Sequence, residues 1–214
     1  MDTSDQDIWM QANADVFWGV IARYDHIVQV YESDEILLEA LTGFAQNAID
    51  SNENAMVVAT NAHLNALERR IERNGFHIDK LITDGIFIPL DVDEVISEFM
   101  IGGTAEESRI VETISGLFTN GVFNKRAFRL CGEIAPTLLA NGHRDIATRV
   151  ERIADRLNHD NPTGIFCIYS KNTVSDDTIA FDQVVCDQHS RIISGSEKQL
   201  TTVFYQDISG PHSH

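Results

Sequence analysis

Residues 26–41, HIVQVYESDEILLEAL, decide the fold of this chain. Ile27, Val28 and Val30 form a compact apolar strand of the type that is buried in a sheet, and a turn follows it. Ser33 and Asp34 in that turn are residue types that commonly cap helices. Apolar residues then recur on one face of a predicted helix, at Leu37, Leu41, Phe44 and Ala48. The stretch therefore predicts a buried strand that enters an amphipathic helix.

The turn between this strand and this helix lacks the residues that hold a phosphate group. A working phosphate loop has the pattern GxxxxGK[ST], in which glycines expose backbone amides and lysine neutralises charge. Between Tyr31 and Leu37 there is neither glycine nor lysine. Glu32, Asp34 and Glu35 would repel a triphosphate. The turn suits an uncharged or cationic small ligand, or a basic residue of a partner, better than ATP.

Short apolar runs and amphipathic stretches alternate along the rest of the chain. Four further strands are predicted at residues 55–60, 86–90, 128–131 and 165–169, and a last one at 201–205. Helices are predicted at residues 34–50, 62–74, 92–100, 105–118, 134–139, 146–157 and 179–189. This alternation favours βαβ units. We expect an α/β fold with one mostly parallel sheet of five or more strands, helices on both faces and the first strand near the centre.

The chain divides into three parts. Residues 1–24 form a leader in which apolar side chains could line a short interaction helix, residues 25–195 form the main domain, and residues 196–214 form a tail with a strand. The leader contains Trp9, Phe17 and Trp18, and exposing such large apolar side chains to water costs free energy. We expect it to be buried in a homo-oligomer or against a partner.

Charge excludes one class of function. The net charge is −17 and the pI about 4.6, whereas a nucleic-acid surface needs clustered lysine and arginine. We expect no direct binding to nucleic acid. Lysine is also scarce, with four residues against twelve arginines. An acidic, lysine-poor surface fits a salt-loving (halophile) source, and an ordinary acidic cytosolic protein is the alternative.

No apolar run approaches the roughly 18 residues that cross a bilayer, and the first residues are acidic, unlike a secretory leader. We therefore expect a cytoplasmic protein without membrane insertion. The chain has three cysteines, which is a small and odd number, whereas the disulfide framework of a secreted protein has a larger and even number.

Ligands of an open parallel sheet bind at the carboxyl ends of its strands, near a switch in strand order. The candidate ligand-binding residues are His26, Tyr31, Ser33, Asp34, Thr60, His63, Glu133, Tyr169 and Ser170. Glu133 follows a buried strand, where a nucleotidase would hold magnesium or polarise water. The alternative is that Glu133 stabilises the start of the next helix. For His26, which opens the first strand, the alternative is a structural hydrogen bond.

Cysteine and histidine offer only half of a metal site. Cys186 and His189 are three residues apart, on one face if the segment is helical. A closed zinc site needs about four ligands, and Cys167, Cys131 and His26 could contribute only if the fold brings them together. We expect no metal and no cofactor, with Cys167 in the core or a ligand pocket.

Several motifs, in order along the chain, resemble one family. They are His26 to Asp34, the NAMVVAT strand with a histidine after it, Gly132-Glu133, Asn141-Gly142, Phe166 to Tyr169, and Cys186-x-x-His189-Ser190. Together they resemble the MEDS family, the sensory domain named for methanogens, methylotrophs and a dichloromethane-responsive regulator. The resemblance covers about residues 24–195. Ser170 stands where the family often has proline.

The resemblance implies a RecA/KaiC-like core that has lost its Walker motifs and is used for sensing, usually joined to a histidine kinase or a DNA-binding module. Because no such module is recognisable here, the signal would leave by contact with a histidine kinase, a transducer or a transcription regulator. We expect a non-catalytic sensory or regulatory domain that binds a small molecule or a signalling partner. A divergent KaiC-like ATPase and a ligand-free scaffolding subunit are the alternatives.

Overall fold

The computed structural model describes residues 10–13, 25–122, 125–161, 163–174, 191–194 and 202–205. The strands are β1 (Met10–Asn13), β2 (His26–Tyr31), β3 (Asn54–Ala59), β4 (Phe87–Asp91), β5 (Met100–Ile101), β6 (Thr104–Ala105), β7 (Phe128–Gly132), β8 (Gly164–Ser170), β9 (Arg191–Ser194) and β10 (Thr202–Tyr205). The helices are α1 (Asp34–Asp50), α2 (Asn61–Arg73), α3 (Ile78–Thr83), α4 (Val92–Phe99), α5 (Glu107–Gly121), α6 (Ile134–Ala140), α7 (Arg144–Asp160) and α8 (Lys171–Val174). Among them, no helix combines the length and the apolar character needed to cross a membrane.

Eight strands form one sheet in the order β1-β10-β9-β2-β8-β7-β3-β4. The six strands from β9 to β4 are mutually parallel, and β10 and β1 extend the sheet antiparallel. The predicted α/β class with a mostly parallel sheet is confirmed. The first strand of the main domain, β2, is fourth in the sheet order, which places it near the centre as predicted.

Alternating side chains of the buried strands supply two separate cores. In β8, Cys167 belongs to the core that includes side chains of α4, α5, α6 and α7, whereas its neighbours Phe166 and Ile168 belong to the core that includes side chains of α1, α2 and α3. This two-residue period follows from the pleat of a strand. A strand that is apolar on both faces has to be covered on both faces. The predicted helices on both faces are therefore present.

The helix after β2 begins where its capping residue predicts. Ser33 is the N-cap of α1, and its hydroxyl accepts a hydrogen bond from the backbone nitrogen of Ile36 at 3.5 Å. Asp34 and Glu35 occupy the first turn, where the positive end of the helix dipole favours acidic side chains. The sequence decided this junction locally, through its strand, its cap and its apolar stripe.

Thr104-Ala-Glu-Glu107, at the start of the helix predicted at residues 105–118, has the sequence of a capping box, but the structure forms none there. Thr104 and Ala105 form β6, which pairs antiparallel with β5 across Gly102 and Gly103, both at positive φ. The threonine hydroxyl donates to the carbonyl of Ile101 at 3.0 Å instead of capping a helix. As a result α5 begins at Glu107, two residues later than predicted.

Other differences lie at the two ends of the chain and in short elements. Met10–Asn13 is a strand rather than part of a helix, because its four residues pair in register with β10. The rest of the leader, with Trp9, Phe17 and Trp18, lies outside the described residues, as does the helix predicted at 179–189. The strand predicted in the tail is present as β10, and β9, α3 and α8 were not predicted.

One edge of the sheet is β4, which pairs with β3 and with no other described strand. Its middle residue is Pro89, opposite Val57 in the register. Proline lacks an amide hydrogen, so it is confined to edge strands, strand starts and bulges.

Candidate functional site at the carboxyl edge of the sheet

The strands β3 and β7 are neighbours, but the chain leaves them toward opposite faces of the sheet. After β3 it enters α2, which packs in one core, and after β7 it enters α6, which packs in the other. This divergence opens a crevice outside the carboxyl ends of the two strands, where ligands of open α/β sheets bind. The polar residues at these two ends are therefore the candidate site.

A glutamate and a histidine meet in this crevice. Glu133 follows β7 and His63 lies in the first turn of α2; the His63 Nδ1 is 3.0 Å from each carboxylate oxygen of Glu133. The backbone nitrogen of Thr60 donates to Glu133 Oε2 at 3.0 Å. The Thr60 hydroxyl in turn accepts from the His63 backbone nitrogen at 3.3 Å, as the N-cap of α2. The buried Glu133 carboxylate thus connects the end of β7 to the start of α2.

The contacts of Glu133 differ from those of a residue that caps the helix after it. Glu133 occupies the N-cap position of its own helix α6 but makes no side-chain capping bond there. Its carboxylate is instead directed across the crevice to α2. The residue bridges two structural elements rather than capping the helix that follows it.

Tyr31, at the end of β2, joins the same group. Burial, then the negative charges of Glu133 and Asp34, raise the pKa of Tyr31 from 10.0 to about 12, against a hydrogen bond with Ser170 that lowers it. The hydrogen bond with Glu133 raises the pKa of His63, which burial lowers, and the charges of Glu133 and Asp34 raise it further. The phenol therefore stays neutral, and the imidazole is biased toward its charged form.

The cations near the turn of residues 32–35 are paired with acids of that turn. Lys171 binds the carboxylate of Glu32, and Arg70 binds that of Glu35. A phosphate loop instead leaves a lysine and several backbone amides facing the ligand. In the described part of the chain, the turn therefore has acidic side chains whose neighbouring cations are already engaged.

A second polar cluster lies inside the core, beneath α7. His26 Nε2 is 3.3 Å from Glu151 Oε2 and 3.4 Å from Cys167 Sγ, and Cys167 Sγ is 3.6 Å from Glu151 Oε2. His26 Nδ1 is 3.4 Å from Asp155 Oδ1, and the Tyr169 hydroxyl donates to Glu151 Oε1. We call these five residues the inner cluster. His26 and Glu151 are each only 1% exposed.

Burial and partners set the protonation of the inner cluster. Burial lowers the pKa of His26, but hydrogen bonds with Asp155 and Glu151 and the charges of both outweigh burial and raise it from 6.5 to about 9. Burial and the charge of Glu151 raise the pKa values of Cys167 and Tyr169 well above their ordinary values. Without a metal, the imidazole of His26 is therefore biased toward its charged form, while the Cys167 thiol and the Tyr169 phenol stay neutral.

The candidate residues from the sequence fall into two groups. The carboxyl edge brings together Tyr31, Asp34, Thr60, His63, Glu133 and Ser170, while Ser33 caps α1 beside them. His26 and Tyr169 do not join this edge, because their side chains contact Glu151 within the core. For His26 the structural hydrogen bond considered above is present.

Sequence reasoning missed Glu151. It follows Ala147 by four residues and precedes Ala154 by three, so it lies on the apolar face of α7. An acidic residue on such a face is the available signal, because buried carboxylates are paired. Cys131 is not grouped with His26, Glu151 and Cys167 and belongs to the core on the other face of the sheet. The candidate pair Cys186 and His189 lies outside the described residues.

Comparison with known proteins connects this chain to one family. Residues 25–185 match the family described as MEDS, the methanogen/methylotroph, DcmR sensory domain. No curated protein matches the chain.

Solved structures with a similar fold are distant in sequence. The flagellar accessory protein FlaH of Methanocaldococcus jannaschii is 13% identical, with a TM-score of 0.53 over 90% of this chain and 78% of that one. The KaiC-like protein PH0186 of Pyrococcus horikoshii is 9% identical, with a TM-score of 0.59 over 89% of this chain and 83% of that one. The RecA/KaiC-like fold expected from the sequence is confirmed.

Proposed function

The chain belongs to the MEDS family, and we propose that it is a non-catalytic sensory module that binds a small uncharged or cationic molecule at the carboxyl edge of its sheet. One observation carries the proposal. The Glu133 carboxylate and the His63 imidazole meet in the crevice between β3 and β7, and the adjacent turn has no phosphate cradle. The crevice lies at the carboxyl edge of the sheet, where nucleotides bind in open α/β sheets, but its side chains are not those that bind phosphate.

Charge favours this class of ligand. Asp34 and Glu133 place two carboxylates near a single imidazole, and burial plus these carboxylates keep Tyr31 neutral. A cation or a hydrogen-bonding neutral molecule would find acceptors there, whereas an anion would meet like charge. Lys171 and Arg70 are already bound to Glu32 and Glu35, so a phosphate would have to break an ion pair to gain a cation.

The contacts of Glu133 suggest how binding would leave the site as a signal. Its carboxylate connects the end of β7 to the first turn of α2 through Thr60 and His63. A ligand that takes the carboxylate as its own partner would release that connection and bias the position of α2. The outer face of α2 would then present the signal to a cytoplasmic partner such as a histidine kinase, a transducer or a transcription regulator.

Calorimetry with four simple probes tests the proposal. We expect methylammonium chloride to bind and sodium acetate and Mg-ATP not to bind, with methanol as the neutral probe. The Glu133→Gln variant should lose methylammonium binding, because the amide keeps the shape of the side chain but removes its charge. Glu112→Gln removes the same charge from an exposed position on α5 and should bind like the wild type. Absence of binding by both methylammonium and methanol, or equal methylammonium binding by the two variants, would contradict the proposal.

A second function has one observation in its favour. The fold is that of KaiC-like proteins, and Glu133 lies where a carboxylate could hold magnesium or polarise water. Micromolar affinity for Mg-ATP that is lost in Glu133→Ala, together with turnover, would establish this ATPase function instead. A folded protein that responds to none of the four probes would favour a scaffolding subunit.

A further inference from the structure

We propose that the inner cluster is a binding site for a divalent transition metal of the zinc class, with His26, Cys167 and Glu151 as ligands. The three side chains come from β2, β8 and α7, and their ligand atoms all lie within 4.8 Å of one another. Imidazole nitrogen, thiolate sulfur and carboxylate oxygen are the three protein ligand types of zinc. This site is separate from the carboxyl-edge site and does not depend on the function proposed there. It departs from the metal-free expectation based on the sequence, which did not include Glu151.

The dimensions of the cluster match one face of a tetrahedral metal site. Bonds of about 2.0–2.1 Å to nitrogen and oxygen and about 2.3 Å to sulfur place neighbouring ligand atoms of tetrahedral zinc roughly 3.4–3.6 Å apart. The three edges here are 3.3 Å from His26 Nε2 to Glu151 Oε2, 3.4 Å from His26 Nε2 to Cys167 Sγ and 3.6 Å from Cys167 Sγ to Glu151 Oε2. The contact between imidazole and carboxylate is longer than the about 2.7–2.9 Å of a charge-assisted hydrogen bond. The triangle has the size of a coordination face rather than of a tight ion pair.

Two further residues support the ligands from outside. Asp155 Oδ1 lies 3.4 Å from His26 Nδ1, the ring nitrogen that is not in the triangle. Tyr169 donates its hydroxyl to Glu151 Oε1, whereas Oε2 is the carboxylate oxygen that lies in the triangle. Metal-binding histidines usually donate their second ring nitrogen to a carboxylate or carbonyl, and ligating carboxylates are themselves hydrogen-bonded. Both outer contacts of a metal site are therefore already in place.

A small cavity adjoins the proposed site. Its volume is about 30 Å³, and Glu151 and Cys167 line it together with apolar side chains of the same core. Three protein ligands leave a fourth position of a tetrahedral metal for water or another small molecule. A cavity of roughly this size holds a water molecule. The metal would therefore have an open position and not a closed structural shell.

Binding has a defined proton balance. Bonds form from the metal to His26 Nε2, Cys167 Sγ and Glu151 Oε2, while the imidazolium and the thiol each release a proton to solvent. Metal affinity should therefore increase with pH.

Cobalt titration of the full-length protein, stripped of metal with EDTA and then dialysed, tests the site. We expect one Co²⁺ per chain, displaced by Zn²⁺, with a near-ultraviolet thiolate-to-cobalt charge-transfer band. Cys167→Ser should lose the band. Cys131→Ser changes a buried cysteine of the other core and should keep it. Failure of the wild type to bind one Co²⁺, or a band that survives in Cys167→Ser, would overturn the proposal.

A second variant avoids the core and so avoids loss of folding. Asp155 is 47% exposed, and Asp155→Asn should lower the affinity for zinc about 10- to 100-fold through the orientation of His26. Asp160→Asn removes the same charge from the end of α7, where the side chain is exposed, and should leave the affinity unchanged. Equal affinities of the two variants, measured by competition with a chromophoric chelator, would contradict the role of Asp155.

Discussion

Raising the pH from 6 to 8 should lower the stability that the charged His26 gives the metal-free protein. The hydrogen bonds with Asp155 and Glu151 raise the folded-state pKa of His26 to about 9, against an ordinary value of 6.5 and despite burial. A group whose folded pKa is raised stabilises the fold fully below its unfolded pKa, and this stability is lost as the pH rises through its folded pKa. The stability that the charged His26 contributes is therefore lost between about pH 6.5 and about pH 9.

The size of this effect follows from the shift. One pKa unit corresponds to about 1.4 kcal/mol, so the whole loss is about 3 kcal/mol in the free energy of unfolding. The change between pH 6 and pH 8 is about 2 kcal/mol, because over this range the unfolded state loses the proton that the folded state still largely holds, and the rest of the stability is lost above pH 8. This range stays below the titration of the two buried thiols, whose pKa values burial also raises.

Urea unfolding at pH 6, 7 and 8, in the presence of EDTA, measures the prediction. We expect the free energy of unfolding of the wild type to fall with pH more steeply than that of His26→Gln. His63→Gln is measured in parallel, because the pKa of His63 is raised as well. The contribution of His63 to the free energy of unfolding therefore also falls as the pH rises, and this variant separates it from that of His26. If His26→Gln and the wild type show the same pH dependence, His26 is not charged in the folded protein and our account of the inner cluster is wrong.

Three further changes test other parts of the structure. Glu133→Gln should lower the pKa of His63 in an NMR titration, because it removes the partner that raises it; an unchanged pKa would contradict the contact between them. Gly121→Ala should destabilise the fold by about 1–3 kcal/mol in urea unfolding, since a Cβ there would overlap the ring of Phe128. Leu37→Ala, at a fully buried position of α1, should cost about 2–5 kcal/mol, and a cost below 1 kcal/mol would argue against the packing of α1 on the sheet.

The sequence predicted elements better than it predicted their neighbours in space. The strand and cap of residues 26–34 are local, so apolar pattern and residue type were sufficient. The capping-box sequence at Thr104 did not form a capping box, although its pattern is also local, because Thr104 pairs with Ile101 across two glycines and its hydroxyl donates to the Ile101 carbonyl. Local signals determine an element only where no competing pairing is within reach.

The carboxyl-edge site was partly predictable because parallel strands bring their ends to one edge. Glu133, Thr60 and His63 were therefore candidates before their contacts were known. The inner cluster was not predictable in the same way, because His26 and Cys167 are 141 positions apart and meet only through the pairing of β2 with β8. Strand order and register, which no local pattern encodes, decide that contact.

Pro89 has a consequence for how copies or partners can assemble on this protein. Ala55 donates its backbone hydrogen to Ile86 at 2.8 Å, and the two-residue period of a parallel ladder then turns the backbone of Ile88 toward β3 and that of Pro89 outward. The free side of β4 thus lacks a donor at its middle residue. An interrupted edge is a poor template for another strand. Continuous sheets across β4, including aggregates, are disfavoured, and association on this side has to use side chains rather than backbone pairing.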